Sequence, residues 1–178
     1  MGAFPKVSIS QEMIDQALKI ESEIKVFRTK TSHVDTVGGA LGEFAFAAWF
    51  TGDWRLNEVG KNAGAADFNG VVEVKTSIFP FSPDRLNLLV REDYASKRKP
   101  PIYVQVFLDV ASTGAKKIAA GTQAVIAGFA YSAEVESAPK KDFGSKFGGS
   151  GGYLCRYIPV QKLHPMAEFR AAYKHVCQ

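Results

Sequence analysis

The chain has 178 residues, 46% apolar and 22% charged, a balance that excludes a disordered or fibrous protein and fits one globular domain spanning 1–178. Twenty-two lysines and arginines against eighteen aspartates and glutamates leave a net charge of +4, which tilts toward polyanionic partners but identifies none. There is no apolar run long enough to span a membrane, Met1-Gly2-Ala3-Phe4-Pro5-Lys6 lacks the apolar core of a secretory signal, and Cys155 and Cys177 lack CxxC spacing; a cytoplasmic protein without a zinc site or disulfide framework is expected.

In chain order, Met13, Ala17, Ile20, Ile24 and Phe27 recur at helical spacing, which predicts an amphipathic helix over Ser10–Phe27 with Ser8 or Ser10 as its N-cap. A polar stretch then leads to a second helix, Thr36–Phe50. It carries Leu41, Phe44, Phe46, Trp49 and Phe50 around most of its circumference and should therefore be buried. After Gly52-Asp53, β-prone runs follow at Trp54–Val59, Ala66–Asp67, Val71–Ser77, Leu86–Val90, Ile102–Val110 and Thr122–Ala130. Residues 132–152, rich in Gly, Ser, Ala and Lys, read as a mobile surface loop without the Lys-Ser/Thr ending of a phosphate-binding loop. A strand at Tyr153–Ile158 and a last helix at Met166–His175 close the chain. Two helices, a run of strands and a closing strand-helix unit make an α+β or α/β fold with a mixed central sheet flanked by helices.

The segment richest in chemistry is Asp67-Phe68-Asn69-Gly70-Val71-Val72-Glu73-Val74-Lys75-Thr76. Strand side chains alternate, so Glu73 and Lys75 share one face while Val72 and Val74 enter the core on the other. A three-residue turn, Phe68-Asn69-Gly70, would set Asp67 opposite Val71 and on the Glu73 face; a two-residue Asn69-Gly70 turn would set it on the other. Two converging carboxylates suit a hard divalent cation such as Mg²⁺, and an adjacent ammonium suits the orientation of a water nucleophile. Metal and lysine together are chemically sufficient in outline to hydrolyse a phosphodiester.

Glu43 lies in the apolar second helix, with Gly39 and Ala47 four residues to either side, so this stripe is expected to approach the sheet closely. A carboxylate on a buried helix is costly unless it is paired or binds a metal. An ordinary Glu-Lys pair on an exposed sheet face is the plainer account of Glu73 and Lys75. The independent placing of Glu43 and Asp67 weighs against it.

With Gly42-Glu43 on an early helix, Asp67 opening the motif and Glu73-Val74-Lys75-Thr76 closing it, the sequence resembles the PD-(D/E)xK nuclease superfamily over about residues 36–130. It departs from the pattern at Ala66, which stands where the motif has proline. The resemblance implies a restriction-endonuclease-like mixed four-stranded sheet flanked by helices, with Tyr103–Phe107 and Ala127–Ala130 in core strands. It also implies Asp67, Glu73 and Glu43 binding Mg²⁺ or Mn²⁺, Lys75 activating water, and DNA as substrate; a homodimer is compatible with it. The activity expected is that of a structure-selective or weakly sequence-specific deoxyribonuclease of repair, recombination or phage DNA metabolism. The alternative is a catalytically inactive nucleic-acid-binding module of the same fold, or such a domain recruited to assembly.

Lys97-Arg98-Lys99 reads either as a contact to a nucleic-acid backbone or as a solvated basic turn. Gln105, on the side of Tyr103 and Phe107, either reaches the site and contacts nucleic acid there or is buried against a backbone partner. His33, His164 and His175 are read as solvated or structural, and the two cysteines as buried or idle.

Overall fold

A computed structural model of the chain describes residues 3–24, 33–57, 59, 66–92, 99–115, 117–143 and 154–178. Its first strand, β1 (Lys6–Ser8), leads into α1 (Gln11–Ile24), whose Ser10 hydroxyl accepts the Met13 N–H at 3.1 Å. Met13, Ile14, Ala17 and Ile20 form its buried stripe. Helix α2 (His33–Thr51) begins earlier than the apolar pattern indicates and buries Leu41, Phe44, Ala45, Phe46 and Ala47.

The remaining elements are β2 (Val72–Ile78), β3 (Asn87–Arg91), β4 (Ile102–Asp109), β5 (Gln123–Tyr131), α3 (Ser132–Ser137), β6 (Lys140–Asp142), β7 (Leu154–Pro159) and α4 (Phe169–Val176). They make an α+β molecule with a four-stranded sheet, β1-β5-β4-β2, and a three-stranded sheet, β3-β7-β6. In the larger sheet β2 runs parallel to β4, while β4–β5 and β5–β1 are antiparallel. That sheet is therefore mixed.

Alternation along β4 divides the core in two. Ile102, Val104, Val106 and Leu108 pack with α1, α2 and α4, whereas Tyr103 and Phe107 pack with Leu88 and Val90 of the smaller sheet. A bulge sets Gln105 opposite Gly128 and Val106 opposite Ile126. A side chain at Gly128, φ +148°, would meet the Leu163 Cβ at 2.7 Å and the His164 carbonyl at 2.8 Å, so glycine lets the chain before α4 lie on this strand.

Three sequence expectations change. Trp54–Leu56 is a single 3-10 turn, because the Asp53 carboxylate caps it by accepting the Arg55 N–H at 3.0 Å and ends any extended run there. Ala66–Asp67 is no strand; Phe68 alone forms a bridge to Val72. Within the stretch expected to be a mobile loop, Ser132–Ser137 is helical and Lys140–Asp142 pairs with β7. The Glu134 carboxylate accepts the Tyr131 N–H at 2.8 Å, a local cap that supports the helix despite the surrounding composition. Residues 144–153, including the glycine run, lie outside the described residues. No helix among the described residues is long and apolar enough to cross a membrane.

Candidate active site

Among the described residues strand β2 is an outer strand, paired on one side with β4 and with no strand on the other. A tight turn covers the start of the open edge. Phe68 and Val72 exchange two backbone hydrogen bonds, at 2.9 and 3.1 Å, with Asn69, Gly70 and Val71 between them. Asn69 (φ 51°) and Gly70 (φ 68°) are both left-handed, the conformation that an Asn-Gly pair accepts most readily. The three-residue connection is thus Asn69-Gly70-Val71, one residue later than the sequence suggested. Continuing that register sets Asp67 across from Glu73, so the two still share a face.

The Asp67 carboxylate accepts the Val74 N–H at 2.8 Å, occupying an edge position that a further strand would otherwise fill. Because Val72 directs its N–H and C=O to this edge and Val74 its N–H, strand alternation sends the Val74 carbonyl the same way. The Lys75 Nζ lies 2.6 Å from Glu73 Oε1, both side chains being about a quarter exposed. Val72 and Val74 are buried in the core beneath α2.

Helix α2 presses onto the buried face of β2 through Gly42 and Gly38. A Cβ on Gly42 would lie 1.9 Å from Thr76 Oγ1, and one on Gly38 would lie 2.7 Å from Ile78 Cδ1. Gly39, the first residue of the stripe expected to make this approach, does not make it, since a Cβ there would meet nothing within 4 Å, whereas Ala47 at its other end is fully buried. Glu43 follows Gly42 and reaches the cluster at the sheet edge.

Burial first, then the charges of Asp67 and Glu73, push the Glu43 carboxyl up to about 9, with the Asn57 amide and Lys75 pulling the other way. Burial and then Glu73 raise Asp67 to about 6, opposed by the Val74 N–H and Lys75. Three carboxyl groups from α2, the turn and β2 therefore gather beside one lysine, and burial together with their acidic neighbours holds Glu43 and Asp67 in the protonated direction. Among the described residues no three His, Cys, Asp or Glu side chains form a ready metal cage. Carboxylate oxygens are nonetheless donors that a hard cation can use, since Mg²⁺ commonly takes one or two carboxylates and keeps several waters.

Asn57, which the sequence reading passed over, donates from Nδ2 to Glu43 Oε2 at 3.3 Å and is itself buried. Its only signal was proximity to the Gly52-Asp53 turn. Gln105 neighbours Lys75 in the β2–β4 register but is fully buried; its amide donates to the Val106 carbonyl at the bulge, 2.9 Å, and to Ser77 Oγ, 3.3 Å. The expectation that it touches nucleic acid gives way to the backbone-partner alternative, since no face of it reaches solvent. Lys99 is exposed and pairs with Glu136 at 2.7 Å; Lys97 and Arg98 lie outside the described residues.

His164 joins Glu134 at 2.8 Å and stacks on Phe129, a structural setting, and His175 is exposed. The side chain of His33 lies outside the described residues. Cys155 is buried, Cys177 is exposed, and neither is in a disulfide. In comparisons with known proteins, no protein family, no curated protein and no solved structure matches this chain.

Proposed function

We propose that the protein is a metal-dependent nuclease of the restriction-endonuclease-like fold, hydrolysing DNA phosphodiesters at the edge of β2. The observation that carries this reading is the convergence of Asp67, Glu73 and Lys75 on one edge with Glu43 approaching from α2. A solvated ion pair would not need two further carboxyl groups withdrawn from water beside it.

Asp67, Glu73 and Glu43 would hold Mg²⁺ or Mn²⁺, with water supplying the remaining oxygen ligands. When bound, such a cation neutralises phosphoryl charge and makes its water more acidic. The ammonium of Lys75, steered by Glu73, donates a hydrogen bond to the attacking water or to a phosphoryl oxygen and so offsets charge as it develops. Glu43, which burial and its acidic neighbours push toward the neutral form, is placed to give a proton at the same spot.

Supercoiled, linear, branched and single-stranded DNA incubated with and without Mg²⁺ or Mn²⁺ tests the proposal. Cleavage that requires the cation, disappears in Asp67→Asn and is greatly slowed in Lys75→Ala is expected. A parent protein that binds DNA but cuts none of these substrates would hand the site to the non-catalytic binding module instead.

A further inference from the structure

Among the described residues three polar or charged side chains are buried: Glu21, Asn57 and Gln105. Gln105 serves the β-bulge. The Asn57 side-chain amide donates to Glu43, fourteen residues earlier in the chain.

We infer that Asn57 is a positioning residue that holds the Glu43 carboxyl toward the Asp67–Glu73 edge, an inference that rests on the nuclease reading above. The turn that carries it is fastened to the helices independently of β2. The Trp54 ring packs on Phe44, the residue after Glu43, with centroids 4.7 Å apart. Arg55 lies over the Trp54 ring at 4.8 Å and binds both Glu12 carboxylate oxygens of α1, at 2.6 and 2.7 Å. The Asn57 N–H closes the turn on the Trp54 carbonyl at 3.4 Å. Its side chain is thereby directed at one carboxyl group from a fixed base.

The chemistry of the contact is specific. A carboxamide N–H favours an ionised, oriented carboxylate, whereas burial and two neighbouring acids favour a neutral one. Without the amide, Glu43 keeps its place on α2 but loses the donor that fixes its rotamer and supports its charge. Groups that orient metal-binding carboxylates in this way typically account for about 10- to 100-fold in metal affinity.

Mn²⁺ binding to the full chain, followed by electron paramagnetic resonance, tests this with Asn57→Ala and the similarly shaped, uncharged Asn57→Leu, each also made in a Glu43→Gln background. In the parent background either substitution should weaken Mn²⁺ binding about 10- to 100-fold. In the Glu43→Gln background both should change it little, because an effect exerted through Glu43 vanishes with the carboxylate. A merely structural contribution would lower affinity equally in both backgrounds and would overturn the inference, as would unchanged affinity in the parent background. Asn57→Leu keeps the branched shape of the side chain without its donor or any charge, so the comparison stands if Asn57→Ala unfolds. A parent chain that binds no Mn²⁺ overturns the cation site itself, a result distinct from either failure.

Discussion

Replacing Gly42 with alanine would put a methyl group 1.9 Å from Thr76 Oγ1, 2.8 Å from its Cγ2 and 2.9 Å from its Cβ. Rotating Thr76 exchanges the first two atoms but leaves the Cβ in place, so either α2 or β2 has to move. Overpacking of this kind costs about 1–3 kcal/mol, and a backbone-proximal clash belongs at or above the top of that range. Alanine's advantage over glycine in a helix returns about 1 kcal/mol. The net loss of about 2 kcal/mol corresponds to a melting temperature lower by about 4–8 °C in a chain of this size.

Gly39→Ala is the internal control, since nothing lies within 4 Å of the added methyl and the propensity gain of up to about 1 kcal/mol should survive. Gly38→Ala should fall between them, because it meets the mobile end of Ile78 at 2.7 Å. Glu43 follows Gly42 directly, and a helix displaced by about 1 Å should also lower cleavage about 100-fold at temperatures where the variant is folded. Thermal unfolding by circular dichroism with parallel cleavage assays reads both effects. A Gly42→Ala variant that melts at or above Gly39→Ala would refute the close-packing argument.

Asp67→Asn keeps an oxygen for the Val74 N–H and should melt within a few degrees of the parent while losing cleavage; Lys75→Ala should cut about 10²- to 10⁴-fold more slowly, by single-turnover kinetics. With pKa values raised to about 6 for Asp67 and about 9 for Glu43, the metal-free fold retains protons that the unfolded chain releases. The stability linked to these protons is complete below about pH 4 and drains as pH rises, through 6 for Asp67 and on toward 9 for Glu43, at about 1.4 kcal/mol per pH unit for each proton. Urea unfolding between about pH 6 and 8 should show this fall in the parent and a flatter profile in Glu43→Gln; a parent stability that rises over that range contradicts the site's electrostatics. Alanine at Lys97, Arg98 and Lys99 should flatten the salt dependence of DNA binding by up to about 2.7 units of slope, at 0.9 per phosphate, measured by fluorescence anisotropy.

The alternation of Val72-Glu73-Val74-Lys75 was legible because a period of two is local, and so was the burial of α2, whose aromatic residues leave it no wet side. The turn was legible in kind from Asn69-Gly70 but not in register, since which residue closes it depends on the hydrogen bonds between Phe68 and Val72. The 3-10 turn at Trp54 was not legible, because β-prone side chains there are overruled by the Asp53 cap and the packing of Trp54 on Phe44. Asn57 was invisible for the same reason; its meaning lies in a contact to Glu43 that only the docked turn creates. The smaller sheet escaped as a unit because β3 and β7 are joined across more than sixty residues of sequence, a pairing no window of local pattern contains.

An outer strand exposes a row of donors and acceptors that will pair with any extended chain it meets, and proteins survive this by spoiling the row. On β2 the spoiling is done by the Phe68 carbonyl at Val72 and the Asp67 carboxylate at Val74. Asp67 is therefore a guard against edge-to-edge polymerisation as well as a candidate ligand. The two duties separate chemically, since the guard needs only an oxygen whereas a cation needs a charge. Asparagine at this position would keep the Val74 N–H covered while removing the charge, whereas alanine would leave that donor open to any extended chain, a difference to be read in solubility rather than in activity.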